Sequence, residues 1–229
     1  MKRAVCLLSG GLDSSTAAAV AVSRGFETYG ITFRYGQRHE REVQSALAVG
    51  RHVGLKDHVV VDFDLRSWGG SALTSDTPVP TGRRADDMAA SIPPTYVPAR
   101  NTIFLSFGLA YAETLEADTI FIGVSQVDYS GYPDCREEYL TAFQQLANLA
   151  TKAGVEGIVA FKIDAPFLHL SKSQIIRTGL DLGVDYGLTW SCYQGEAVAC
   201  GVCDSCILRL EAFRSLGMDD PLTYASAED

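Results

Sequence analysis

Short apolar runs alternate with longer amphipathic segments along most of the chain. Arg3-Ala4-Val5-Cys6-Leu7-Leu8 is apolar after its charged first residue and short enough to be a buried strand. Residues 16–21 are alanine-rich and predict a helix. Residues 28–33 read as a second strand and 40–53 as a helix with Val43, Ala46, Leu47 and Gly50 on one face. Residues 58–63, dense in β-branched side chains, predict a third strand. Asn101 is placed to cap an apolar helix running to Glu116, and residues 119–123 follow as a fourth strand. An amphipathic helix is predicted over 136–153 and a fifth strand over 158–163. Ser171-x-x-Gln174 is a capping box opening a helix that stops near Gly183. Repeated βα units imply a Rossmann-like, doubly wound, parallel five-stranded sheet. Ligands of such sheets sit beyond the carboxyl ends of the strands.

The turn after the first strand carries the first candidate chemistry. Leu8-Ser9-Gly10-Gly11-Leu12-Asp13-Ser14-Ser15 joins strand to helix through two glycines. That order aims backbone N–H groups at an anion lying on a helix N-terminus. Asp13 or Ser14 is also placed to cap the helix. The loop lacks the lysine that closes a Walker A motif, so nothing within it offers phosphates a point charge.

Composition narrows the partners. The 229 residues are 47% hydrophobic and 21% charged, with a formal net charge of −9, an ordinary globular balance. That acidity argues for small-molecule substrates and against direct nucleic-acid binding, although Arg34, Arg38 and Arg41, and Arg83 with Arg84, form local basic clusters. No apolar run approaches the roughly 18 residues of a membrane span, and the apolar stretch after Lys2 and Arg3 is too short for a signal peptide. A cytoplasmic protein with reduced cysteines and no membrane partner is expected. The sequence leaves the oligomeric state open, with a homodimer as the working expectation. Residues 74–94 hold four of the eight prolines and no periodicity. An irregular insert of that length reads as a mobile lid near the site.

Four of six cysteines fall within fifteen residues: Cys192, Cys200, Cys203 and Cys206. Thiolates spaced this closely suit one tetrahedral, structural Zn2+ with no open position; an Fe–S cluster is the alternative. The chain then divides into an α/β domain with the anion-binding loop over 1–185 and a zinc-binding helical segment over 186–229. Cys6 reads as a small core residue. Cys135, in a polar turn at a helix start, reads as a packed cysteine whose thiol pKa such a position can lower.

Two further segments are distinctive: residues 96–102 (Tyr-Val-Pro-Ala-Arg-Asn-Thr) and 128–136 (Asp-Tyr-Ser-Gly-Tyr-Pro-Asp-Cys-Arg). The second can stack a flat heterocycle and hydrogen-bond its edges. The Ser-Gly-Gly-Leu-Asp-Ser loop resembles the pyrophosphate loop of N-type ATP pyrophosphatases, whose fold is adenine nucleotide alpha hydrolase-like. Taken with Tyr-Gly-Gln-Arg-His at 35–39, Val-Pro-Ala-Arg-Asn and Cys-Gly-x-Cys-Asp-Ser-Cys, these motifs resemble the 7-cyano-7-deazaguanine synthase family from Leu8 to Gly217. Residues 77–92 have no place on that pattern.

The resemblance implies ATP-dependent conversion of 7-carboxy-7-deazaguanine and ammonia to the nitrile through an amide, with two oxygens activated in turn and two ATP used. Adenylation is the activation expected of this loop type. The resemblance also implies that Leu8 to Ser15 hold ATP, with Mg2+ on its phosphates and Asp13 as a metal ligand. Arg100 and Arg136 become candidates for the substrate carboxylate or the leaving pyrophosphate. Tyr129, Tyr132, Asp128 and Asp134 become candidates for the deazaguanine, and His39 for a proton shuttle. A PP-loop enzyme that modifies tRNA directly and a non-catalytic ATP sensor are the rival readings.

Overall fold

A computed structural model describes residues 2–37, 40–83, 88, 92–125, 132–194 and 197–225. Strands β1 (Arg3–Leu7), β2 (Glu27–Arg34), β3 (Asp57–Asp62), β4 (Thr119–Ile122) and β5 (Lys162–Asp164) form one sheet in the order β3-β2-β1-β4-β5. Every pairing is parallel. The order reverses between β1 and β4, so the switch point of the sheet falls where the glycine turn leaves β1.

Side-chain alternation along the strands builds two cores. Val5, Leu7, Ile31, Phe33, Ile120 and Ile122 point to one face, where α3 (Arg100–Thr114) and α4 (Glu137–Ala150) pack. Ala4, Cys6 and Phe121 point to the other, beneath α1 (Leu12–Ser23), α2 (Arg41–Val53), α6 (Lys172–Asp181) and α7 (Asp204–Ser215). Alanines at 17, 18, 19 and 21 keep α1 thin enough to lie buried between the sheet and its neighbours. Cys6 is a core residue, and burial pushes its thiol up to about 12. No helix among the described residues is long and apolar enough to cross a membrane.

Three local expectations fail, each for a long-range reason. The fifth strand begins at Lys162, not at 158. Phe161 N–H donates to Asn148 Oδ1 at 2.8 Å and its carbonyl accepts from Asn148 Nδ2 at 2.9 Å, so a side chain of α4 takes the place of a strand partner. The helix expected over 136–153 breaks at Thr151 (φ −113°, ψ 148°), whose hydroxyl caps the short α5 (Lys152–Val155). Asn101 does not cap α3. The N-cap is Ala99, at φ 53°, and Asp134 Oδ2 accepts the Asn101 N–H at 3.0 Å from 33 residues away.

The described part of the proline-rich insert lies against the C-terminal cysteines. Val79 is buried and its carbonyl accepts from Gln194 Nε2 at 3.1 Å. Thr81 bridges to Cys203, Gly82 N–H donates to the Val202 carbonyl at 2.9 Å, and Arg83 pairs with buried Asp204 at 3.1 Å.

Candidate active site

A cavity of about 260 Å³ opens at the carboxyl end of the sheet. Its floor is the turn that leaves β1. Gly10 adopts φ +78°, a left-handed conformation that suits glycine, and a Cβ there would stand 2.5 Å from the Glu42 carbonyl oxygen. Gly123, at the end of β4, is as confined, since its Cβ would meet Ser14 N at 2.6 Å. Both close approaches bring α1 and α2 onto the loop. Gly11 is the N-cap of α1 and no side chain among the described residues caps the helix, so neither Asp13 nor Ser14 plays that part. Ser14 Oγ instead lies 2.9 Å from Ser9 Oγ, and Ser15 Oγ donates to the Gly11 carbonyl at 2.7 Å. The helix N-terminus therefore presents its backbone donors to the cavity, where an anion would complete them.

The absence of a lysine from the loop is made good from the far side of the site. Lys172, first residue of α6, places Nζ 2.6 Å from Asp13 Oδ2, and both side chains line the cavity. Asp13 Oδ1 is buried with no hydrogen-bond partner among the described residues, an acceptor left for a cation. The hard oxygen donor fits Mg2+.

Above the loop the walls are aromatic. Arg100, first residue of α3, donates to Tyr35 Oη at 3.3 Å, with its guanidinium 5.9 Å from the Tyr35 and Phe104 ring centres. Burial pushes the Tyr35 phenol up to about 12. Tyr132 lines the cavity, 5.8 Å ring to ring from Tyr96, with its hydroxyl 3.0 Å from Thr95 Oγ1. Tyr193 and Trp190 close the wall from the C-terminal segment. The Trp190 N–H donates to the Gly10 carbonyl at 2.8 Å, its ring stacks on Arg41 at 4.0 Å, and its Nε1 is buried and unpaired among the described residues. Buried Arg209 holds the Trp190 segment in place through Thr189 Oγ1 at 2.7 Å and the Tyr186 carbonyl at 3.0 Å, and it pairs with Asp220.

Of the residues singled out in the sequence, Leu8, Ser9, Gly11, Leu12, Asp13, Ser14, Arg100 and Tyr132 line this cavity. Asp134 is turned to the start of α3, and Arg136 is exposed at the N-cap of α4, away from the cavity lining. Asp128, Tyr129 and His39 lie outside the described residues. Cys135 lines the cavity but is not activated, because burial pushes its thiol up to about 12. Lys172 and Glu42 escaped the sequence reading. One signal for Lys172 was available: a cation at the first position of a helix opposes the macrodipole unless an anion is there to be held.

On the α3 face, the Sγ atoms of Cys192, Cys200, Cys203 and Cys206 lie within 4.8 Å of one another. Four thiolates on a tetrahedral Zn2+ at about 2.3 Å stand roughly 3.8 Å apart, so the set fits the ion. Backbone N–H groups of Cys200 and Cys203 donate to Cys192 Sγ and Cys200 Sγ, each at 3.3 Å, as they do around metal thiolates.

A parallel sheet of this order, with a lysine-free Gly-Gly turn at its switch point, defines an α/β protein of the PP-loop fold class. NMN synthetase from Francisella tularensis shares the fold, with a TM-score of 0.52 at 17% identity over 99% of this chain and 80% of that one. The family model described as Queuosine biosynthesis protein QueC matches residues 3–217, and the chain belongs to that family. A Syntrophotalea carbinolica protein named 7-cyano-7-deazaguanine synthase is 60% identical over 226 residues, 98% of this chain and 97% of the relative. A protein of the same name from Nostoc punctiforme is 57% identical over 224 residues, 97% and 100% of the two chains.

Proposed function

We propose that this chain is an ATP-dependent carbon–nitrogen ligase making 7-cyano-7-deazaguanine from 7-carboxy-7-deazaguanine and ammonia. The observation that carries the reading is the cavity itself. The Gly-Gly loop, the cations Lys172 and Arg100 and a tyrosine-rich wall meet there in a chain whose near-full-length relatives bear that enzyme's name. A carboxylate is a poor acyl donor because oxide would have to leave. Transfer of a nucleotide phosphate makes that oxygen a leaving group, ammonia gives the amide, and a second activation removes the amide oxygen.

The amides of Gly11 to Ser14 and the Lys172 ammonium hold the phosphates, releasing Asp13 from its ion pair toward the metal. Mg2+, when bound, neutralises phosphate charge and fixes the oxygens for displacement. Arg100 orients the substrate carboxylate or the departing pyrophosphate, while Tyr132 lies against the heterocycle. Asp128 and Tyr129 are proposed to join it. Cys192, Cys200, Cys203 and Cys206 hold one structural Zn2+, which makes residues 186–229 a zinc-binding segment beside the ATP-binding domain of 1–185. The enzyme acts on small molecules in the cytoplasm.

Mass spectrometry of 7-carboxy-7-deazaguanine incubated with ATP, Mg2+ and ammonium should show amide and then nitrile, with AMP and pyrophosphate released. The amide alone should be converted only when ATP is present. No nitrile, or nitrile without ATP consumption, would falsify the proposal; ADP as sole nucleotide product would overturn adenylation alone.

A further inference from the structure

Glu42 stands in the first turn of α2, over the phosphate loop. The contact of its backbone with Gly10 fixes that helix turn, and its side chain lines the same cavity as Ser9, Gly11, Asp13, Arg100 and Trp190. Among the neighbouring polar groups, Asp13 Oδ2 pairs with Lys172, Arg100 with Tyr35, Ser14 with Ser9 and Ser15 with the Gly11 carbonyl, while Trp190 Nε1 and Asp13 Oδ1 make no hydrogen bond among the described residues. The Glu42 carboxylate has no hydrogen bond among the described residues. Among the described residues, the charged and titratable groups facing it are Arg100 from α3, Tyr35 beyond β2 and Cys192 from the C-terminal segment.

A carboxylate beside bound phosphates is repelled by them, so it cannot serve as their ligand. It needs a cation or an N–H donor, and none of the described residues supplies one by hydrogen bond. The reaction of the preceding subsection, on which this inference rests, requires one such group. Its nitrogen is a small cation at neutral pH and must lose protons before it can attack. We propose that Glu42 binds ammonium and accepts its proton as the nitrogen attacks the activated carboxyl. The first proton passes to a Glu42 oxygen and frees the lone pair that forms the C–N bond. The C–O bond to the nucleotide phosphate breaks, its electron pair leaving with the phosphate oxygen. The second proton is shed to water as the amide forms, and Glu42 returns its own to water before the next turnover. Burial raises the Glu42 carboxyl to about 7, against the opposing pull of Arg100, which suits a group that takes up and releases a proton near neutrality.

Steady-state rates against ammonium concentration, with either the acid or the amide as substrate, test this in wild type, Glu42→Gln and Glu42→Asp. Glu42→Gln should raise the ammonium KM at least tenfold, and its loss on the acid should exceed its loss on the amide at least tenfold, because the amide already carries its nitrogen. Glu42→Asp should show the same ammonium defect in milder form, and decides the matter if Glu42→Gln does not fold. An ammonium KM unchanged within twofold, or a rise in the KM of acid and amide alike with that of ammonium unmoved, overturns the proposal. The second pattern would mean that Glu42 reads the heterocycle. Wild-type enzyme that makes no nitrile from the acid overturns the functional reading itself, a separate result.

Discussion

Asp13 and Lys172 show how much one residue's meaning depends on its partner. The Gly-Gly loop alone contains no cation, and the sequence reading offered Arg100 and Arg136 to the site but not Lys172. The structure brings Lys172 to 2.6 Å from Asp13 across 159 positions. Both side chains are mostly buried, at 18% and 24% exposure, so the pair is not a solvated surface contact. Lys172→Ala removes a charge-assisted phosphate contact of about 1.5–3 kcal/mol. A fall of about 10- to 100-fold in kcat/KM for ATP is expected, with little change in the thermal midpoint. Asp13→Asn should weaken ATP use comparably by removing the anionic metal ligand. Kinetics indistinguishable from wild type in both variants would remove these two residues from the phosphate site.

At the scale of elements, contact between a loop and a helix sets the geometry of the site. Gly10 combines a positive φ with two backbone atoms of α2, Glu42 O and Ala46 N, at 2.5 and 2.6 Å from where a Cβ would be. Gly10→Ala must therefore either strain the loop or push α2 away, at a cost on the order of 1–3 kcal/mol. Calorimetry should show a lowered melting temperature, and ATP titration a weakened affinity, because the same shift displaces Ser9 and Glu42. Gly54→Ala, also at positive φ but with open space around its Cβ, provides the control: it should lose stability without losing ATP affinity. Equal effects on ATP binding would show that crowding at Gly10 does not matter. The first positions of α2, α3 and α6 follow a related logic, since each is a cation: Arg41, Arg100 and Lys172. Each opposes its helix macrodipole by about 0.3–1 kcal/mol, which bound phosphate or carboxylate would offset.

Over the whole molecule, the C-terminal segment ties the cysteine cluster to the phosphate loop. Trp190 hydrogen-bonds Gly10, two residues before Cys192, and Thr81 to Arg83 clasp the same segment at Val202, Cys203 and Asp204. A structural zinc contributes on the order of 10 kcal/mol to folding, comparable with the entire stability of a typical domain. Elemental analysis should find one zinc per chain. Chelation, or Cys203→Ser or Cys206→Ser, should unfold or aggregate the protein and abolish ATP binding with it. A metal-free Cys206→Ser protein that stays folded and fully active would rule out a structural site.

Period and spacing make most of the architecture legible in the chain itself. Alternation along β1 and β4, the alanines of α1, the capping box at Ser171 and the Gly-Gly turn are local signals, because a strand, a cap or a tight turn depends on residues a few positions apart. The clustering of four cysteines was equally local. Where the sequence misled, a distant group had taken over a local role: Asn148 pairs with Phe161 in place of a strand, and Asp134 serves α3 in place of Asn101. Several polar groups of the cavity were hidden for the same reason. Glu42, Lys172 and Trp190 come from α2, α6 and the C-terminal segment, and apart from the helix-start position of Lys172 nothing in their own neighbourhoods marks them as facing one cavity. Sequence alone determined most of the elements and the Gly-Gly turn between β1 and α1; only the tertiary structure decided which charges meet there, because an ion pair or a buried acid is defined by what surrounds it.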